Sequence, residues 1–112
     1  MTDDDPFTHS IYCGLRTKQS PAWIAKSLAR IGWDSRMCSW TEHELTSDHA
    51  ELVLIPADPP LLSGGIRPED ASLHFVLSSL RSINVDGDYE LYDGSNELIG
   101  QGKIGDGSAE NG

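Results

Sequence analysis

The sequence predicts one α+β domain in which two helices cover a sheet of short strands. Three observations indicate this fold class. Apolar residues alternate at period two over residues 10–16, as in a half-buried strand. Two later segments instead carry apolar residues at helical spacing, each with a proline near its start. A chain of 112 residues is also long enough to bury one hydrophobic core without disulfides or metal ions.

A helix signal follows the first strand. Ser20 provides an N-cap, and Pro21 suits the first helical position because its missing N–H would have no partner there. Gly32 then supplies the left-handed residue that commonly follows a helix. Residues 34–41 are compatible with a strand, and residues 51–55 are the most apolar and β-branched segment of the chain. We therefore predict a second and a third strand at these positions.

The segment between these two strands, residues 42–49, is polar and acidic, and we expect a surface loop there. Residues 61–66 contain two adjacent glycines, which weaken a strand, and we expect them to connect the third strand to the second helix. That helix is predicted from Pro68 to about Ile83. It begins with acidic residues, which the helix dipole favours at this end.

A hairpin closes the predicted domain. Residues 89–92 and 97–99 are strand-like, and the residues between them tolerate the positive φ of a tight turn. The element order is βαββαβ plus a closing strand. The economical topology for this order is a ferredoxin-like split βαβ fold, an antiparallel sheet with both helices on one face. The expected boundaries are a flexible tail at 1–7, a single domain at 8–101 and a Gly-rich flexible tail at 102–112.

The net charge is the unusual feature of the composition. Eighteen Asp plus Glu against eight Lys plus Arg give −10 at pH 7. A chain this acidic is repelled by bulk nucleic acid and by anionic membrane surfaces. Five of the eight basic residues fall within residues 14–36, whereas acidic residues are concentrated in 42–51 and 86–97. We therefore expect a bipolar distribution of charge on the folded molecule.

The cellular location is predicted from what the sequence lacks. Its longest apolar run is far too short to span a membrane, and the acidic first residues do not resemble a signal peptide. Cys13 and Cys38 lie far apart and neither belongs to a CxxC pair, which suits a reducing compartment. We expect a cytoplasmic protein with no membrane association and no structural disulfide.

Patterns typical of metal or catalytic sites are present only in incomplete form. One is a set of zinc-ligand residue types without a tightly spaced pair: Cys38, His43, His49 and Asp48. Another matches four positions of a calcium-binding loop: Asp86, Asp88, Glu90 and Glu97. Leu91 stands where that loop requires glycine. Cys13, the candidate nucleophile, alternates with apolar residues as core residues do. We therefore expect no enzymatic activity, no metal and no cofactor.

The charge distribution favours a binding role. We expect a small acidic protein that binds a basic protein, as a cytosolic inhibitor or immunity-type protein that blocks a nucleic-acid-acting partner or toxin. In this interpretation the two acidic segments form one patch, with two tyrosines as apolar anchors. The predicted partner-binding residues are Glu42, Glu44, Asp48, Asp86, Asp88, Glu90, Asp93, Tyr89 and Tyr92.

Two alternatives remain open. The first is a small ligand-sensing or RNA-contacting ferredoxin-like module that uses the helix-free face of the sheet and a basic cluster beside the tryptophans. Its residues are Arg16, Lys18, Lys26 and Arg30, with Trp23, Trp33 and Trp40. The overall negative charge disfavours the nucleic-acid form of this alternative. The second alternative is a halophile-type surface, in which eleven Asp and three Lys keep the chain in solution without any partner role.

Overall fold

The computed structural model describes residues 6–38, 40–57 and 59–104. Within these ranges the elements are β1 (His9–Arg16), α1 (Pro21–Arg30), β2 (Asp34–Met37), β3 (His43–Thr46), β4 (Ala50–Ile55), β5 (Leu61–Ile66), α2 (Asp70–Ser82), β6 (Asp86–Tyr92) and β7 (Leu98–Lys103). The strands form one antiparallel sheet in the order β2-β3-β4-β5-β1-β6-β7. The α+β class with two helices is confirmed. Neither helix is long and apolar enough to cross a membrane.

Both helices cover the same face of this sheet. The buried residues of α1 and α2 join a single hydrophobic cluster with the inward side chains of β1, which are Ile11, Cys13 and Leu15. Trp33, which follows α1, links the two helices. Its indole N–H donates to Ser79 Oγ at 3.0 Å, and its ring stacks on Phe75 with the centroids 5.4 Å apart. Among the described residues, no helix packs against the opposite face of the sheet.

The first helix begins where its local signals predict. Ser20 Oγ accepts a hydrogen bond from the backbone N–H of Trp23 at 3.1 Å, and Pro21 is the first helical residue. Gly32 has a φ of +116°, a conformation that residues with a Cβ rarely adopt. The predicted start of α1 and its glycine terminator are therefore confirmed. The second helix starts at Asp70 instead of Pro68, and positive-φ Asn84 follows its end.

Two strands were wrongly assigned to connections, and they change the topology. The acidic segment expected to be a loop contains β3, in which Leu45 is fully buried and pairs with β4. The glycine-containing connection is β5, which pairs with both β1 and β4. Residues 34–66 therefore form a four-stranded antiparallel meander, and the element order is βαββββαββ. The ferredoxin-like strand order is not confirmed, because strand number and strand order both differ from it.

The glycines explain how β5 occupies the interior of the sheet. Gly64 has a φ of +155°, and a Cβ there would overlap the carbonyl oxygen of Glu51 on β4. The absence of a side chain at Gly64 lets β4 and β5 approach closely. The glycines, which from sequence indicated a connection, are therefore required for β5 to form.

The closing hairpin is present and is longer than predicted. The predicted C-terminal tail begins at residue 102, whereas β7 continues to Lys103 and Ile104 is buried. The backbone N–H of Ile104 donates to Gly87 O at 2.8 Å, and Arg81 Nε donates to Ile104 O at 2.6 Å. The remainder of that tail, and residues 1–5 of the predicted N-terminal tail, lie outside the described residues.

Candidate protein-binding site

The helix-free face of the sheet, called the open face below, is the side of the strands opposite the two helices. Side chains alternate along each strand, and cross-strand partners share a face, so the register assigns the residues of this surface. They are Asp34, Arg36, Glu44, Thr46, Glu51, Val53, Ile55, Leu61, Ser63, Ser10, Tyr12, Arg16, Asp86, Asp88, Glu90, Tyr92, Gln101 and Lys103. Six are acidic and three are basic, so the surface is net negative.

Ion pairs engage all three basic residues of the open face. Arg16 lies 3.7 Å from Asp86 and 3.1 Å from Asp88, and Lys103 lies 3.9 Å from Asp88. At the other end of the sheet, Arg36 Nε is 2.6 Å from a Glu44 carboxylate oxygen. Such exposed pairs contribute little to stability, but they neutralise charge locally. The carboxylates that have no basic partner among the described residues of this face are Asp34, Glu51 and Glu90.

An aromatic pair lies beside Glu90. Tyr12 on β1 and Tyr92 on β6 are diagonal neighbours, with their ring centroids 5.6 Å apart and their planes at 87°. Tyr12 is 46% exposed, a large fraction for a tyrosine in a central strand. These rings, Glu90 and Asn96 line a shallow pocket of about 440 Å³. The open face therefore combines apolar contact area with negative charge at one place.

Hydrogen bonds fix the polar groups of this pocket. The Tyr92 hydroxyl donates to Glu90 Oε1 at 2.8 Å, and this hydrogen bond to a carboxylate raises the pKa of Tyr92 above its ordinary value. In the adjoining turn, the Asp93 carboxylate accepts the backbone N–H groups of Ser95 at 2.8 Å and Glu97 at 3.0 Å. These two bonds lower the pKa of Asp93 and hold the turn in place.

The predicted binding residues do not form one patch. Asp86, Asp88, Glu90 and Tyr92 lie together on β6. Glu44 lies on β3, four strand spacings away, or about 19 Å at the usual interstrand distance. The strands β4, β5 and β1 lie between the two acidic segments, so those segments flank the open face instead of merging.

The other predicted residues lie outside the β6 group. Glu42 precedes β3, and exposed Asp48 lies between β3 and β4. Asp93 is in the β6–β7 turn. Tyr89 pairs with Cys13 and is partly buried against the core, so it faces the helices and not the same side as Tyr92. The pocket adds Tyr12 and Asn96, which the predicted binding set lacks. In the alternating segment 10–16, Tyr12 lies between the apolar residues Ile11 and Cys13, so this pattern by itself indicates that Tyr12 is on the helix-free side.

The candidate nucleophiles and metal ligands are dispersed. Burial raises the pKa of the Cys13 thiol to about 12. Cys38 is exposed, and its thiol donates to Glu42 O at 3.7 Å. His49 Nδ1 lies 2.9 Å from Ser72 Oγ, and its ring packs on Phe75. Across residues 6–38, 40–57 and 59–104, no three His, Cys, Asp or Glu side chains come close enough to hold a metal ion.

The basic residues of the first half lie in more than one environment. Lys18 and Arg30 line a second pocket, of about 390 Å³, together with the half-exposed indole of Trp23. Arg16 belongs instead to the ion pairs on the open face, and Lys26 is an exposed residue of α1. Of the other tryptophans, Trp33 is buried in the core, whereas Trp40 is 94% exposed.

Comparisons of this chain with family models, with curated proteins and with solved structures find no match.

Proposed function

We propose that this chain is a non-catalytic binding protein whose open face docks a basic protein partner through strands β1 and β6. The observation that carries the proposal is the Tyr12–Tyr92 pair, in which Tyr12 is exposed, beside the carboxylates of Asp86, Asp88 and Glu90. Aromatic residues surrounded by polar groups are typical of the energetically dominant part of protein interfaces.

The charge of the open face specifies the partner. A net negative surface accelerates association with a positive one and disfavours negatively charged competitors. Proteins that act on nucleic acids carry such positive surfaces at their substrate clefts, because phosphate contacts dominate their affinity. A bound acidic domain would block that cleft. An inhibitor or immunity-type protein is therefore the form of this function that we propose.

A pair of charge variants tests the proposal. The first variant, Asp86→Asn with Asp88→Asn, removes two charges beside the tyrosines. The second, Glu69→Gln with Asp70→Asn, removes two exposed charges at the start of α2, away from the open face. Each immobilised variant is exposed to an extract of the source organism at low and high salt, and retained proteins are quantified by mass spectrometry.

We expect a basic protein that the wild-type chain and the α2 variant retain at low salt, and that the β6 variant and high salt release. The purified partner should then associate more slowly with the β6 variant, with a weaker dependence of the rate on salt. Equal retention by both variants, retention of nucleic acid alone, or no retained protein at either salt concentration would contradict the proposal.

The second pocket favours a second candidate function, binding of a small anionic ligand. Lys18 and Arg30 supply positive charge there without an ion pair among the described residues, and Trp23 supplies an aromatic face. Titration with a nucleoside monophosphate, followed by tryptophan fluorescence, tests this candidate. Lys18→Gln should weaken binding, whereas Lys26→Gln, outside the pocket, should not. No saturable change in the wild-type protein would exclude this ligand class.

A further inference from the structure

We propose that the pocket formed by Tyr12, Tyr92, Glu90 and Asn96 receives an arginine side chain of the partner. This inference rests on the proposed function and names the group that the open face recognises. It requires three properties of the pocket: an unneutralised carboxylate, accessible aromatic faces and room for a planar cation, which the volume of about 440 Å³ provides.

The carboxylate is Glu90. All the basic side chains of the open face already contact other carboxylates, and the hydrogen bond that the structure gives Glu90 comes from the Tyr92 hydroxyl. That bond engages Oε1 and fixes the carboxylate beside the rings. The other oxygen is left to accept a hydrogen bond from a cation in the pocket, and a charged donor forms the stronger bond.

The aromatic faces come from the edge-to-face arrangement of the tyrosines. In this arrangement the edge of one ring contacts the face of the other, and Tyr12 remains 46% exposed, so part of its ring surface is accessible above the sheet. A cation over such a surface is attracted by the ring quadrupole. A guanidinium group satisfies both requirements at once, because its flat face can stack on a ring while its edge N–H groups donate to Glu90. An ammonium group is a compact point charge and cannot stack.

Nuclear magnetic resonance of the full isotope-labelled chain tests this site. The probe is arginine blocked at both backbone ends, compared with blocked citrulline, which has nearly the same shape without the charge, and with blocked lysine. We expect weak, saturable shifts centred on Tyr12, Glu90, Tyr92 and Asn96 with the arginine probe. Citrulline should give none, and lysine should bind more weakly than arginine.

A matched pair of variants isolates the carboxylate. Glu90→Gln should weaken arginine binding roughly 5- to 10-fold, because a charged acceptor is replaced by a neutral one. Glu51→Gln removes another unpaired carboxylate of the open face, but its cross-strand neighbours are Thr46 and Gly65 and not tyrosines. It should leave arginine binding unchanged. Tyr12→Leu should weaken binding roughly 2- to 5-fold through loss of the cation–π contact.

Three results would overturn the inference: equal binding of arginine and citrulline, an equal loss of arginine affinity in the Glu90 and Glu51 variants, or chemical-shift changes centred on residues outside the pocket. The partner experiment separates this failure from that of the proposed function. If the Asp86/Asp88 variant loses the basic partner while Glu90→Gln and Tyr12→Leu retain it fully, the arginine pocket is wrong and the proposed function stands. If blocked arginine binds as expected but no basic protein is retained, the pocket stands and the proposed function fails.

Discussion

Replacement of Gly87 by alanine tests the close approach of β6 to β1 that brings the residues of the candidate binding site together. Gly87 lies between Asp86 and Asp88 and has a φ of +153°. A Cβ there would overlap the carbonyl oxygen of Gly14 and lie 3.0 Å from the Cα of Leu15. Those contacts are backbone atoms of a central strand, which cannot move aside as the end of a flexible side chain can.

Two costs determine the expected loss of stability for Gly87→Ala. Holding an L-residue in this glycine conformation costs about 1–3 kcal/mol. Overpacking against β1 costs about a further 1–3 kcal/mol. Together they lower the free energy of unfolding by about 2–6 kcal/mol. With about 2.1 cal/mol/K of unfolding entropy per residue, each 1 kcal/mol shifts the Tm of this chain by roughly 4 °C, so Tm should fall by roughly 8–25 °C.

Gly14→Ala provides the matched control, because a Cβ at Gly14 meets no atom within 4 Å. Its free energy of unfolding should stay within about 1 kcal/mol of the wild-type value, because an unstrained replacement of glycine by alanine changes mainly the conformational entropy of the unfolded chain. Both variants are measured by thermal and guanidinium unfolding followed by circular dichroism. Equal stability of the two variants would refute the argument that β6 needs glycine to approach β1.

Three further predictions follow from individual contacts. Trp33→Phe should lower the free energy of unfolding by about 1 kcal/mol or more, because it removes the hydrogen bond to Ser79; denaturant unfolding measures this loss, and an unchanged midpoint would contradict it. In the native protein at pH 8, a disulfide reagent should label exposed Cys38 and not Cys13, whose thiol burial keeps protonated; two rapidly labelled thiols would contradict this. Folding should lower the pKa of Asp93 below its ordinary value of 3.8. The stabilisation of the turn by this carboxylate should therefore be complete above pH 3.8 and be lost as the pH falls through the folded pKa. Carboxyl chemical shifts measured against pH show whether the pKa is lowered.

The elements that were predicted correctly are marked by residues that are close together in the sequence. Ser20 and Pro21 mark the start of α1 because a cap involves only neighbouring residues. The two missed strands depend on distant partners. Leu45 is one apolar residue in a polar segment, and it becomes a core residue only when β4 lies beside it. Composition alone therefore favours a loop at β3.

The candidate site likewise contains residues that are neighbours in the sequence and residues that only distant strand pairing brings together. Glu90 and Tyr92 are on the hairpin that the sequence predicted, so they were found together. Tyr12 joins them through the pairing of β1 with β6, a neighbour relation that the ferredoxin-like order also contains between its first and fourth strands. The separation of Glu44 from the β6 carboxylates likewise follows from strand order. Long-range strand order, and not residue type, decided which predicted residues meet.

The central position of β1 determines when the Tyr12–Tyr92 pair of the candidate binding site can form during folding. β1 is the first strand in the chain, yet its neighbours are β5 and β6, and Ser10 pairs with Tyr92. Closing loops of this length is slow compared with pairing the consecutive strands β2 to β5, which need only short turns. During synthesis, Tyr12 can contact Tyr92 only after Tyr92 has emerged from the ribosome. A nascent or partly folded chain therefore carries the acidic residues but not the assembled tyrosine pair. If a partner contacts both rings, as proposed, it would bind the folded chain and not these earlier states.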